Sequence, residues 1–276
     1  MHDYAARLSS APFIVRNYAN NPASGIPPWP ALDRWGDTRY LLAAVGEGRV
    51  VPVEIGRSYS DAGWGQEIMP LRDFLCRVGY DVEPESAPDS LSTEPLYLAQ
   101  HSLFRQFSEL ERDFAIPDYV WSRPEPDAQS TYQPVADSEL PIVNVWIGNS
   151  GDHPVSPAHT DPHFNCYVQV LGKKRVWLAP PSVSSYMDAF GSVDDDDDDN
   201  DTEINRYMDN TSRVPIFRND DEIETKARHP LFFEHVVPLA MEAVLEPGDL
   251  LVMPPGWWHA MRGEGHGPGW SVSMWY

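Results

Sequence analysis

Residues 165–180 read NCYVQVLGKKRVWLAP, and this stretch is the strongest evidence for the fold. Two runs rich in β-branched and aromatic residues, 165–170 and 174–180, flank the turn sequence LGKK. Alternation with a period of two predicts a strand for each run, and the short spacing indicates a hairpin. Similar patterns recur at 141–148, around the Pro-Pro-Gly of 248–261, and at 269–276. Many short strands favour a β-rich fold of the double-sheet jelly-roll or barrel type.

The first half of the chain has a different pattern. Apolar residues at helical intervals predict three helices, at 37–48, 70–78 and 102–114. Asp37 is the expected N-cap of the first helix and Gly46 its stop, and residues 49–56 form a strand. We therefore expect one α+β domain over the whole chain, with a helix-rich part, 1–140, packed outside a jelly-roll core, 141–276.

Composition limits the class of protein. Proline accounts for 27 of 276 residues, about twice the usual share of roughly 5%, which disfavours long helices and suits strands joined by rigid turns. No apolar run is long enough to span a bilayer, and the N-terminus lacks signal-peptide features, so we expect an intracellular protein of the nucleus, the cytoplasm or both, without a membrane partner. Cys76 and Cys166 are too few for a disulfide framework and are expected to be free thiols.

The net charge of −22 makes direct binding to nucleic acid unfavourable and favours basic partners. Residues 194–224 concentrate the charge, with thirteen acidic residues against three arginines, a net −10 that includes the run Asp194–Asp199. Closely spaced like charges repel and stay hydrated, so a surface loop is the simplest interpretation of this insert. A docking site for a basic tail is the alternative.

Three residues have the spacing of a metal site. His159 and Asp161 lie two apart before a strand, so both side chains can point to one side of an extended segment. His259, at the start of a later strand, can supply a third ligand. Two imidazoles and one carboxylate that leave positions open are typical of non-haem Fe(II) oxygenases, although zinc accepts the same ligands.

Asn165 and Lys174 are spaced to face the same cavity. Asn165 is four residues beyond Asp161, and Lys174 is in phase with the apolar residues of its strand. A lysine among inward apolar side chains requires an anion, because an unpaired buried ammonium is costly. A surface lysine at a turn and a hydrogen bond at a strand edge are the simpler interpretations of these two residues.

A second set resembles a pocket for a cation. Glu54 lies in an apolar strand with Tyr59 shortly after it, and Trp146 lies on the polar side of another strand. Carboxylate and aromatic faces together bind guanidinium or ammonium groups. A glutamate in a strand is more often exposed to solvent, and that alternative stays open at this point.

Several colinear motifs resemble a known family. They are WPALDRW (29–35), VPVEIGRSY (51–59), YLAQHSLFRQFSELERDFAIPDY (97–119), VNVWIG (143–148), SPAHTDPHFNCYVQVLGKK (156–174), GDLLVMPPGWWHAM (248–261) and SVSMWY (271–276). Together they resemble the Jumonji C branch of the cupin superfamily, the Fe(II)- and 2-oxoglutarate-dependent oxygenases. The resemblance implies a double-stranded β-helix, another name for the cupin jelly roll.

The resemblance also implies roles for these residues. His159, Asp161 and His259 would be the iron ligands, and Lys174 would bind the far carboxylate of 2-oxoglutarate. Tyr97, Asn165 and Ser156 would assist, with Asn144 and Trp275 nearby. Glu54, Tyr59 and Trp146 would line a pocket for a substrate arginine.

The implied activity is hydroxylation of a protein side chain by dioxygen, with arginine as the target. A basic protein, such as a histone or a ribosomal or chromatin-associated protein, is the expected partner. Three alternatives stay open: demethylation of histone lysine, oxidation of a small molecule by a cupin with another divalent metal, and a binding module without catalysis.

Overall fold

A computed structural model describes residues 10–21, 27–46, 48–60, 63–84, 94–122, 124, 132–152, 155–191, 208–217 and 222–276. The acidic run Asp194–Asp199 lies outside the described residues, and so do the two interpretations given for it. Within the described part, no helix is long and apolar enough to cross a membrane. Both cysteines are free thiols, as the sequence predicts.

The described residues contain twelve strands and five α-helices. The strands are β1 Phe13–Val15, β2 Val50–Ile55, β3 Gly65–Pro70, β4 Leu96–His101, β5 Ile142–Asn149, β6 Val155–His159, β7 Asn165–Leu171, β8 Lys173–Ala179, β9 Met241–Leu245, β10 Leu250–Met253, β11 Trp258–Glu264 and β12 Pro268–Trp275. The helices are α1 Ala31–Arg34, α2 Thr38–Val45, α3 Leu71–Arg77, α4 Leu103–Gln106 and α5 Glu222–Arg228. Short 3-10 and π turns, which include Pro181–Tyr186 and Phe232–Val236, complete the described secondary structure.

The strands form two antiparallel sheets that face each other. The large sheet has the order β1-β10-β7-β12-β5-β4-β2-β3, and the small sheet has the order β6-β11-β8-β9. From β5 to β8 the chain passes from one sheet to the other at every strand, and it does so again from β9 to β12. This arrangement is the predicted jelly roll, and it confirms the β-rich fold.

Three apolar clusters form the core, one between the two sheets and one on the outer side of each sheet. Tyr167, Val176, Leu178 and Met261 belong to the cluster between the two sheets. The outer side of the large sheet packs against the N-terminal helices in the largest cluster, and the outer side of the small sheet is covered by the turns around 183 and 232–236. The N-terminal helices therefore pack outside the jelly roll, while β1 to β4 extend its large sheet.

One predicted hairpin is wrong. The strands predicted at 165–170 and 174–180 exist as β7 and β8, but they do not pair, because β7 belongs to the large sheet and β8 to the small one. Gly172 alone connects them, with φ of +68°. A Cβ at this position would lie 2.9 Å from the carbonyl oxygen of Pro268. The close approach and the left-handed backbone make this residue the corner between the sheets.

The prediction of one continuous helix over 102–114 is also wrong. The segment is divided into α4 and a 3-10 turn, Ser108–Asp113, by Phe107, whose φ of −130° and ψ of 71° are not helical. The break follows from burial, because Phe107 and Asp113 both lie inside. The Asp113 carboxylate accepts hydrogen bonds from Arg34, Trp35 and Tyr40 at 2.6–2.9 Å, which ties this segment to the first helices.

The helix predicted at 37–48 is confirmed as α2. The Asp37 side chain caps its N-terminus by accepting a hydrogen bond from the backbone N–H of Arg39 at 2.9 Å, and Gly46 follows its last residue. The helix predicted at 70–78 is confirmed as α3.

The corner at Gly172 generates a stability prediction. Gly172→Ala should destabilise the protein more than Gly265→Ala, by about 1 kcal/mol or more, the usual cost of overpacking. Both positions carry the cost of a left-handed residue, but the added methyl group meets backbone only at 172, since nothing lies within 4 Å at 265. Urea unfolding of the two variants measures the difference. Equal losses would show that the close approach to Pro268 is not a constraint.

Candidate metal centre and adjoining cavity

The strand register brings the three predicted ligands together. β6 and β11 are antiparallel neighbours, and His159 lies directly opposite His259. The chain turns after His159 and brings Asp161 against both rings. The Asp161 carboxylate oxygens lie 3.9 Å from His159 Nε2 and 3.6 Å from His259 Nε2. All three ligating atoms lie within 4.8 Å of one another, a spacing that could hold one metal ion.

Backbone carbonyls fix the orientation of both imidazoles. The Nδ1 atom of His159 donates to the Pro157 carbonyl at 2.8 Å, and that of His259 donates to the Trp257 carbonyl at 3.0 Å. Because a carbonyl can only accept, each ring carries a proton on Nδ1, and Nε2 is the atom left to bind a metal. The Nε2 atoms face Asp161, so the donor set suits a divalent cation.

Burial keeps His259 neutral. The loss of hydration, together with the neighbouring His159, lowers the pKa of His259 to about 4, although Asp161 opposes the shift. A neutral imidazole is the form that binds a metal. The ring is therefore ready for coordination at physiological pH.

The turn before β11 holds the third ligand in place. Gly256, within the predicted Pro-Pro-Gly turn, donates its backbone N–H to the Asp161 carbonyl at 2.9 Å. Its φ of +77° lies in the left-handed region, which favours glycine. The strand that carries His259 is thus tied by its own turn to the residue that supplies the carboxylate.

Lys174 points into the space between the sheets. It is 6% exposed, and its Nζ donates to the Tyr97 hydroxyl at 3.1 Å. Among the described residues, no carboxylate forms an ion pair with it. Burial lowers the pKa of Lys174 to about 8. The adjacent Lys173 faces outward and pairs with Glu246 at 2.8 Å, as the strand phase predicts.

Three buried polar atoms near the end of the large sheet have no hydrogen-bond partner within the described part of the chain. They are Asn144 Nδ2, Asn165 Oδ1 and Trp275 Nε1. Their strands are neighbours, and Asn165 pairs in register with Trp275. Unsatisfied buried polar groups are rare in native proteins, and together with the unpaired ammonium of Lys174 they suit a polar, anionic ligand.

A cavity of about 370 Å³ opens beside the metal ligands. Eight of the twelve predicted site residues line it: Glu54, Tyr59, Tyr97, Trp146, Ser156, His159, Asp161 and Trp275. The other four, His259, Lys174, Asn144 and Asn165, are buried and are not part of its lining. Lys174 borders a small adjoining space that also reaches Tyr97. Tyr97 therefore lies between the buried ammonium and the open cavity.

The three residues of the predicted cation pocket share this cavity. Glu54 is partly buried, and burial raises the pKa of its carboxyl group. Burial also raises the pKa of Tyr59 to about 12, and its ring lies edge-on to His159 with centroids 6.4 Å apart. Trp146 donates its indole N–H to Ser273 Oγ at 3.0 Å, which fixes the plane of its ring. Glu54 therefore lines a cavity and is not the exposed strand residue of the simpler interpretation.

Sequence reasoning missed several residues of the lining. Gln100 adopts φ of +47° at an irregularity in β4, and Met208, Asn210 and Thr211 come from the segment that follows the acidic run. A local pattern could not reveal Gln100, because the irregularity depends on pairing with β5. The Asn-Thr-Ser sequence at 210–212 was a usable signal, since it interrupts an otherwise acidic stretch.

Comparisons with known proteins agree with this architecture. A sequence profile of the cupin-like domain matches residues 3–276. Jumonji C domain-containing protein 5 of Drosophila melanogaster is 35% identical over 254 residues, which cover 91% of this chain and 52% of that protein. Lysine-specific demethylase JMJ30 of Arabidopsis thaliana is 34% identical over 269 residues, 98% of this chain and 50% of that protein.

A third relative, lysine-specific demethylase 8 of Xenopus tropicalis, is 30% identical over 251 residues, 91% of this chain and 46% of that protein. The chain thus spans about half the length of these curated relatives. Because the profile covers nearly the whole chain, and because the Drosophila relative is named for its Jumonji C domain, the chain belongs to the cupin-like family, in its Jumonji C branch.

Proposed function

We propose that the protein is an Fe(II)- and 2-oxoglutarate-dependent oxygenase that hydroxylates a protein side chain, with arginine as the target. Jumonji C enzymes use Fe(II) and 2-oxoglutarate. The observation that carries the proposal is that one cavity joins His159 and Asp161 to a carboxylate, Glu54, and to two aromatic rings. A metal site and a cation pocket in one cavity are what oxidation of a basic side chain requires.

The proposed metal ligands are His159, Asp161 and His259. Their Nε2 atoms and carboxylate would hold the ion, and a set of three protein ligands would leave positions for ligands from solution. When bound, Fe(II), 2-oxoglutarate and dioxygen supply the oxidising chemistry, and the protein's task is placement. The carbonyls of Pro157 and Trp257 hold the rings in the orientation that coordination needs.

Lys174 is the proposed partner of the distal carboxylate of 2-oxoglutarate. Its ammonium is buried beside the Tyr97 hydroxyl. A carboxylate there would form an ion pair with the ammonium and offset the free-energy cost of burying its charge. Asn144, Asn165, Ser156 and Trp275 can offer further hydrogen bonds to the same molecule. The partnerless atoms of Asn144, Asn165 and Trp275 support this assignment.

Glu54 is the proposed anchor for the substrate guanidinium. Its raised pKa means that the carboxylate is poorly compensated in the free protein, and an arriving cation would stabilise the charged form. The faces of Tyr59 and Trp146 can stack on a planar guanidinium, whereas a lysine ammonium is a compact point charge with no flat face and no fork that matches both carboxylate oxygens. Arginine is therefore favoured over lysine.

Demethylation of lysine is the second candidate, because two relatives are named lysine-specific demethylases. The same residues would serve, and the outcome depends on which carbon the pocket holds next to the metal. Mass spectrometry distinguishes the two, since hydroxylation adds about 16 Da and loss of a methyl group removes about 14 Da.

The remaining proposals concern the whole chain. We propose one catalytic unit over 1–276 that acts inside the cell, in the nucleus or the cytoplasm. Its partner would be a basic protein, such as a histone or a ribosomal or chromatin-associated protein, and not nucleic acid or a membrane. The net charge of −22 supports this choice, because it attracts basic proteins at low salt.

His259→Ala should weaken binding of Mn(II), a redox-stable substitute for Fe(II), by about 100-fold or more. The loss should exceed the 10–100-fold typical of removing an outer hydrogen-bond partner. His266→Ala, which changes an exposed histidine, should leave the affinity unchanged. Isothermal titration with Mn(II) measures both. An unchanged affinity in His259→Ala would exclude this metal centre.

Lys174→Ala should raise the KM for 2-oxoglutarate by about 10- to 150-fold, the range for losing a charged hydrogen bond. Lys173→Ala is the matched control, because Lys173 pairs with Glu246 on the surface. Succinate formation against 2-oxoglutarate concentration provides the measurement. If the two variants behave alike, the anion site lies elsewhere.

Glu54→Gln should slow hydroxylation of an arginine peptide by about 10-fold or more at both low and high salt, because a partly buried charge pair is weakly screened. Glu67→Gln, on the neighbouring strand β3 and exposed, should have no effect. The readout is the +16 Da product in a timed mass-spectrometric assay. Normal turnover by Glu54→Gln would contradict the arginine pocket and favour a different substrate class.

A further inference from the structure

We propose that Asn210 is a positioning residue that holds the turn between two of the metal ligands, and that the Thr211 hydroxyl, at the wall of the cavity, supports the Asn210 amide. The inference rests on the metal centre proposed above. It concerns a residue that neither the sequence pattern nor the proposed roles of the other residues account for.

Asn210 binds both backbone groups of Thr160, the residue between His159 and Asp161. The Thr160 N–H donates to the Asn210 carbonyl at 3.0 Å, and the Asn210 side-chain Nδ2 donates to the Thr160 carbonyl at 2.9 Å. The peptide units on either side of Thr160 lead directly to the two ligand Cα atoms. Fixing both units therefore fixes the directions in which the two ligand side chains leave the backbone.

The position of β6 in the sheet explains why this support is needed. β6 is the edge strand of the small sheet, so β11 can pair with only one side of it. On that side, His259 lies opposite His159, and Gly256 donates to the Asp161 carbonyl at 2.9 Å. The segment around Asn210 supplies the pairing on the other side. The ligand turn is thus held from both sides, and Asn210 makes two of its hydrogen bonds.

The Asn210 segment is itself anchored. The Ser212 N–H donates to the Ala158 carbonyl at 2.8 Å, and Thr211 forms a β-bridge with His159. Arg213 donates its N–H to the Asp188 carbonyl at 2.9 Å. These contacts hold the backbone from which the Asn210 amide reaches Thr160, so its position does not depend on the side chain alone.

The other end of the Asn210 side-chain amide contacts a residue that lines the cavity. Thr211 Oγ1 donates to Asn210 Oδ1 at 3.3 Å, and Thr211 lines the cavity together with Tyr59. Asn210 therefore accepts at its oxygen and donates at its nitrogen, so both ends of the amide are engaged. A chain of hydrogen bonds runs from Thr211 through the Asn210 side chain to Thr160. A substrate that displaces Thr211 from the cavity wall would change the support of the ligand turn.

The first test removes the amide. Asn210→Ala should weaken Mn(II) binding by about five-fold, as expected for one hydrogen bond, and should speed deuterium exchange in the metal-free peptide 155–165. Asp209→Ala is the matched control, because Asp209 is exposed in the same turn and does not line the cavity. Wild-type affinity and wild-type exchange in Asn210→Ala would overturn the proposal. An overall loss of stability would instead speed exchange in every region, and that outcome also counts against a positioning role.

The second test addresses the coupling. Thr211→Val removes only the hydroxyl group's hydrogen bond to Asn210, and it should weaken Mn(II) binding by about two-fold alone and have no further effect in the Asn210→Ala background. Fully additive losses would show that Thr211 does not act through Asn210. The wild-type protein provides the reference for the metal site. If the wild type binds no Mn(II), the proposed metal centre is wrong. If the wild type binds Mn(II) and Asn210→Ala binds it equally well, only the inference about Asn210 is wrong.

Discussion

The antiparallel pairing of β6 with β11 is the contact on which the candidate site depends. It places His159 opposite His259, and the apolar alternation of β11 maintains this register. Trp257 and Met261 pack between the sheets, while Trp258 and Ala260 pack on the outer side of the small sheet. A slip of one residue would exchange these sides and turn His259 into the outer cluster. The packing of apolar side chains therefore determines the geometry of the metal ligands.

Strand positions and side-chain directions could be predicted wherever one side of a strand has to be buried. The alternation of side chains along β8 predicts that Lys174 points inward and Lys173 outward. Lys174 is buried, and Lys173 pairs with Glu246 at the surface. The same reasoning applies to Asn165, which is buried. Eight of the twelve predicted site residues line one cavity, but Tyr97, Ser156 and Trp275 among them were assigned from the family resemblance and not from a period-two pattern.

Pairing between distant strands could not be predicted from local patterns. The alternation in 165–180 fits a hairpin as well as a corner between two sheets, and only the close approach of Gly172 to Pro268 distinguishes them. The break at Phe107 depends on the surroundings of Asp113, which come from α2 and the end of α1. The role proposed for Asn210 depends on its segment lying beside β6; the Asn-Thr-Ser interruption of the acidic stretch marks this segment but does not specify its neighbour.

The buried ammonium of Lys174 would link protein stability to metabolism if the anion that meets it is 2-oxoglutarate. Without a carboxylate partner among the described residues, its burial opposes folding, and an anionic ligand that meets it removes that cost. A ligand that binds only the folded state stabilises it in proportion to the logarithm of its concentration. If that anion is the cosubstrate, the lifetime of the protein in the cell rises and falls with the supply of a central carbon metabolite. The abundance of the enzyme, and not only its rate, would then report nutritional state.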